Sequence, residues 1–149
     1  MKILLAVDGS TYTKKMLAYL ATHESLLNKD NNFTVLTVHL PIPARARAAV
    51  GKDIVEDYYK DDAEKVLAPI DKFLARHGIQ AKSVWKAGNV GETIATYAEA
   101  GKFDMLVMGS HGHGSFLNMV LGSVATKVLA NCKFSNWILL NHTQINTIH

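Results

Sequence analysis

Short apolar runs alternate with longer segments of helical periodicity along the chain, and that alternation leaves few folds open. Residues 3–7, 33–40, 81–86, 103–108 and 134–140 read as five strands. The first is continuous and apolar, the pattern of a strand covered on both faces. Between the strands, residues 12–27 place Met16, Leu17, Leu20 and Leu27 near one helical face. Residues 53–77 form a long helical pattern with Tyr58, Val66, Ile70, Phe73 and Leu74 on its apolar side. Pro69 is expected to kink or divide that helix, because proline removes a backbone hydrogen bond, and Gly78 fits its stop. A third helix spans 90–100 and ends at Gly101. Strands that alternate with helices predict an α/β fold: an open five-stranded parallel sheet with helices on both faces. A chain of 149 residues is the size of one domain. The polar tail after Asn141 is expected to fray.

Chemistry is concentrated after the fourth strand. Gly109, Gly112, Gly122 and Ser123 stand as Gly-x2-Gly-x9-Gly-Ser, between the strand ending at Met108 and a helical pattern opening at Val124. Strand, glycine-rich turn and helix in that order make an anion site. Glycines let the backbone approach a phosphate with no Cβ in the way. Unpaired N–H groups and the dipole of the following helix favour negative charge. Ser123 stands where a helix N-cap belongs, so its hydroxyl either caps the helix or binds a phosphate oxygen. The spacing is not that of a P-loop, which needs Gly-Lys-Ser/Thr, nor that of a Gly-x-Gly-x-x-Gly dinucleotide loop.

The Gly-x2-Gly-x9-Gly-Ser pattern resembles the ATP-binding signature of the universal stress protein (UspA-like) family. Residues 1–10, 34–40, 88–94 and 104–109 resemble further family segments in the same order, so the likeness covers nearly the whole chain. The resemblance implies a Rossmann-like sheet of order 3-2-1-4-5. It implies that Asp8 hydrogen-bonds adenosine, that Leu40 contacts the adenine, and that Gly109, Gly112, Gly122 and Ser123 hold the phosphates and ribose. Val7, Met108, His111 and Val124 stand beside these as further binding positions. The implied ligand is ATP or another adenine nucleotide, with Mg²⁺ carried by the phosphates. The resemblance also implies a homodimer formed through the last strand, from Phe134 to Leu140. In this sequence Lys133-Phe-Ser-Asn-Trp follows Cys132, where the family usually has a proline-valine pair, which leaves the dimer packing open. Phe134, Trp137, Ile138 and Leu139 would be an aggregation hazard on an uncovered edge. Asp8 keeps a second reading, since Asp-Gly-Ser is ordinary turn chemistry.

The remaining signals exclude more than they assign. A net charge of +3, with no dense basic run and no interleaved aromatics, does not favour nucleic acid. The apolar run after Lys2 ends at Asp8, too short for a secretory leader, and no run has the length of a membrane span. Cys132 is the single cysteine, a pattern that fits a reducing compartment. A cytoplasmic protein is expected. His111 and His113 lack the further nitrogen or sulfur donors that a zinc site needs. His39 ends the second strand and is expected to be satisfied by nearby backbone. Residues 41–52 carry Pro41 and Pro43 and read as an irregular basic loop, either mobile or a lid that brings an arginine to a phosphate. The functional expectation is a nucleotide-binding and signalling module with no catalytic residues and at most slow hydrolysis. The alternatives are a nucleotide-free dimeric interaction module and a nucleotidyl-transfer or hydrolase enzyme of the same fold class.

Overall fold

In the computed structural model, residues 1–109, 137–140 and 145–148 are described. Strand β1 (Lys2–Ala6) pairs parallel with β2 (Asn32–His39) on one side and with β4 (Met105–Gly109) on the other. Strand β3 (Lys82–Ala87) pairs parallel with β2, with Leu36 opposite Val84. Beyond β4 lie β5 (Trp137–Leu140), parallel, and β6 (Ile145–Ile148), antiparallel. The sheet order is β3-β2-β1-β4-β5-β6.

Alternation along β1 divides the core in two. Ile3, Leu5 and Val7 point to one face, where they pack with Met16 and Leu20 of α1 (Thr11–Thr22) and with Ala63, Leu67, Ile70 and Leu74 of α3 (Lys52–Arg76). Leu4 and Ala6 point to the other face and pack with Ile94 and Ala98 of α4 (Val90–Ala100). Successive strand residues face opposite ways, so a strand apolar at every position must be covered twice. Helix α4 starts cleanly because the Asn89 side chain accepts from the Glu92 N–H at 3.1 Å, a standard N-cap bond. At its end a Cβ on Gly101 would run into the Phe103 ring.

Several expectations are corrected. The sheet has six strands among the described residues, not five, because part of the tail expected to fray forms β6. Ile145-Asn-Thr-Ile offers β-branched residues at three of four positions, and pairing with β5 satisfies backbone groups that a bare edge leaves open. Helix α1 stops at Thr22, short of Leu27, and His23 caps it through its N–H to the Leu20 carbonyl. Helix α3 is continuous through Pro69, which lies on an exposed position of the helix. Its buried face is Val55, Tyr59, Ala63, Leu67, Ile70 and Leu74, a run of four- and three-residue steps. Tyr58 falls off that stripe and is exposed.

The stretch expected to be irregular contains helix α2 (Ala44–Val50). The two prolines delimit its start, and the Ala-Arg-Ala-Arg-Ala-Ala run that follows consists of strong helix formers. Gly51, at φ +89°, turns the chain between α2 and α3, a conformation that favours glycine.

Candidate functional site

From β1 the chain moves outward to β2 and β3, then crosses to β4 on the opposite side of β1. The strand order therefore reverses between β1 and β4. In open parallel sheets, ligands bind beyond the carboxyl ends of the strands that flank such a reversal. Ala6 pairs with Met108 across this line, which brings Val7 and Asp8 beside Gly109.

Asp8 is half-buried and organises the turn into α1. Its Oδ1 accepts from the Ser10 N–H at 2.9 Å and from the Thr13 hydroxyl at 3.1 Å. The Asp8 N–H donates to Thr13 Oγ1 at 3.2 Å. Gly9 takes φ +77°, with the Val66 side chain close by. Turn chemistry thus accounts for one carboxylate oxygen. The other, Oδ2, has no partner among the described residues.

Ser10 adds a group that motif reading missed. It occupies the N-cap of α1 but makes no side-chain cap bond. It is 6% exposed, and its Oγ has no hydrogen-bond partner among the described residues. Serine at an N-cap is normally explained by the cap itself, so sequence gives no reason to look further. An N-cap Ser→Ala change usually costs about 0.5–2 kcal/mol. Here no cap bond is lost and an unpaired buried hydroxyl is removed. Ser10→Ala is therefore expected to leave urea-unfolding stability unchanged or raised. A loss above about 1 kcal/mol would show that the hydroxyl is paired in solution.

The other expected positions divide into three groups. Val7 and Met108 are buried, with side chains in the two opposite core clusters. Leu40 follows β2 and is 68% exposed, free to cover a flat group. Gly109 closes β4. His111, Gly112, Gly122, Ser123 and Val124 lie outside the described residues, as does His113.

The expectation for His39 is corrected. Its ring is held by a carboxylate and not by backbone: Nδ1 lies 3.2 Å from Asp62 Oδ2 of α3. Its Nε2 is buried with no hydrogen-bond partner among the described residues. The rings of Tyr59 and Trp85 stand 5.9 Å and 6.3 Å from it. This cluster joins β2, α3 and β3, far apart in sequence, which is why no local motif announces it.

Residues 1–139 match the universal stress protein family. The chain belongs to that family. A universal stress protein of Synechocystis is 29% identical over 130 residues, covering 86% of this chain and 38% of that relative. The chain thus spans well under half of that relative's length. The universal stress protein YxiE of Bacillus subtilis is 28% identical over 144 residues, covering 88% of this chain and 94% of its own. Among solved structures, the hypothetical protein MJ0577 superposes with a TM-score of 0.78 at 23% identity, over 96% of each chain. An Arabidopsis thaliana family member with AMP bound gives 0.67 at 18% identity, over 95% of this chain and 91% of that one. A universal stress protein in complex with cAMP gives 0.64 at 19%, over 97% and 98%. These structural likenesses establish the α/β fold of this universal stress protein. No described helix is long and apolar enough to cross a membrane.

Proposed function

We propose that this universal stress protein binds an adenine nucleotide at the β1–β4 reversal and acts as a cytoplasmic stress-response binding and signalling module. The observation that carries the reading is the pair of unspent polar groups there. Among the described residues, nothing pairs with Asp8 Oδ2 or with the buried Ser10 hydroxyl, and both residues follow the carboxyl end of β1. A buried polar group without a partner costs about 1–3 kcal/mol, which a ligand can return. A carboxylate oxygen suits the ribose hydroxyl or the adenine amine, and exposed Leu40 suits the purine face. AMP and cAMP occupy two proteins of the same fold, which supports an adenosine-sized ligand. The Gly-x2-Gly-x9-Gly-Ser sequence pattern from Gly109 to Ser123 supports ATP with Mg²⁺ among the candidates. These groups are donors and acceptors for binding, and hydrolysis is at most slow.

Isothermal titration of nucleotide-free protein with AMP, cAMP and ATP, with and without Mg²⁺, tests the reading. Saturable micromolar binding of at least one is expected. Absence of heat with all three, from folded protein, would sink it and leave a nucleotide-free interaction module.

The proposed protein partner is a second copy. The free-edge expectation for the strand from Phe134 to Leu140 is corrected, since β6 pairs along the outer side of β5. Self-association would then use the outer edge of β6, or an exchange of β6 between copies. Light scattering on the eluting peak decides: a monomer at every concentration removes the second copy as a partner.

A further inference from the structure

A second hollow lies at the β2–β3 side of the sheet, with β3 three strands away from β4. It is a cavity of about 540 Å³ between α2, the start of α3 and the end of β3. Small-molecule pockets run from roughly 300 to 1,000 Å³. Val55, Tyr59 and Trp85 form its apolar lining, and the exposed Arg47, Lys52 and Glu56 its charged one.

The aromatic wall is fixed before any ligand arrives. The Tyr59 and Trp85 ring centres are 5.8 Å apart at 33°. His39 stacks on Tyr59 at 22°, and its ring is clamped by Asp62. The Tyr59 hydroxyl accepts the Ile42 N–H at 2.6 Å, which ties the segment before α2 to α3. Rings held this way lose little freedom on binding a flat partner, and that lowers the entropy cost. Aromatic faces prefer other rings in offset or tilted arrangements.

The charges choose among flat ligands. Neither Arg47 nor Lys52 makes an ion pair with another described residue. With Glu56 opposed to them, the rim carries one surplus positive charge. Helix α2 buries no residue, so core packing does not explain its placement. It forms the wall that presents Arg47.

We propose that this cavity is a second ligand site, for a planar aromatic or heteroaromatic molecule bearing one anionic group. The ring lies against Tyr59 and Trp85, and the anion meets Arg47 and Lys52. A cation is disfavoured by the two basic groups, and a polyanion by Glu56.

The test uses 2-naphthoate and the ¹⁵N-labelled full chain, followed by NMR. Saturable shifts are expected at the Trp85 indole N–H and at the amides of Arg47, Lys52 and Ala87. AMP at saturation should leave them in place. Arg47→Gln removes an exposed group that makes no ion pair with another described residue, so the fold is expected to survive. It should weaken 2-naphthoate by about tenfold, the loss of a charge-assisted hydrogen bond. The neutral analogue 2-naphthalenemethanol should bind the unaltered chain about tenfold more weakly, for the same reason. Any of three results overturns the proposal: no shift at Trp85, displacement of 2-naphthoate by AMP, or unchanged affinity in both Arg47→Gln and Lys52→Gln. Failure of AMP to bind bears only on the β1–β4 reversal.

Discussion

Leu5→Ala is expected to lower the free energy of unfolding by about 3–5 kcal/mol, the upper range for a buried leucine truncated to alanine. Leu5 is fully buried at the middle of the central strand. Its backbone is laddered on both sides, opposite Val35 of β2 and Val107 of β4. Above it stand Met16 and Leu20 of α1, with Leu67 of α3 in the same cluster. A strand pinned from two directions cannot move in to fill the space, so the lost contacts and the residual cavity both count. Native domains hold only about 5–15 kcal/mol in total, so a large share of stability would go. Val84 on β3 is the contrast. It is half-buried in the other cluster, where solvent and neighbours can adjust, and Val84→Ala should cost about 1 kcal/mol. Urea unfolding measures both, with an unchanged denaturant slope as the sign that the denatured state is the same. A Leu5→Ala loss under about 1.5 kcal/mol would contradict the double-sided packing of β1.

The same double burial explains why the centre of this fold is legible in sequence. A strand buried on both faces must be apolar at every position, and Ile3 to Val7 is. Helix α4 is legible because Asn89 and Gly101 mark its two ends within eleven residues. The misreadings have common causes. Pro41, Pro43 and Gly51 hide α2, because they bound a helix yet look like loop composition when read together. Pro69 is not a break, because a proline on the exposed side of a long helix leaves the packed side intact. Tyr58 faces outward and Tyr59 inward: for two adjacent aromatics, only the helical phase relative to Ala63 and Leu67 decides which one is inside. At the proposed site, the positions of Asp8 and Leu40 after their strands are legible in sequence, and their binding roles are part of the proposal. The Ser10 hydroxyl is not, because an unpaired group is a fact about its surroundings. The His39–Asp62 pair and the Tyr59–Trp85 wall join residues 23 to 26 positions apart in chain order, and no local pattern encodes them.

Two substitutions at Asp8 separate its structural duty from its proposed binding duty. Asp8→Asn keeps an oxygen that can accept from the Ser10 N–H and the Thr13 hydroxyl, so the turn should persist with a stability change under about 1 kcal/mol. The amide then places an NH₂ where Oδ2 was. A donor facing the ribose hydroxyl or adenine amine offers no acceptor, and nucleotide affinity should fall by roughly tenfold or more, the range for a hydrogen bond to a charged group. Asp8→Ala removes both turn bonds as well and leaves a buried hydroxyl at Thr13 with one fewer partner. It should cost about 1–3 kcal/mol of stability in addition to the lost affinity. Titration calorimetry and urea unfolding on the same two proteins read the two duties independently. If Asp8→Asn binds nucleotide as tightly as the unaltered chain while Asp8→Ala is destabilised, Asp8 is a turn residue alone. The binding groups at the β1–β4 reversal would then be Ser10 and the backbone.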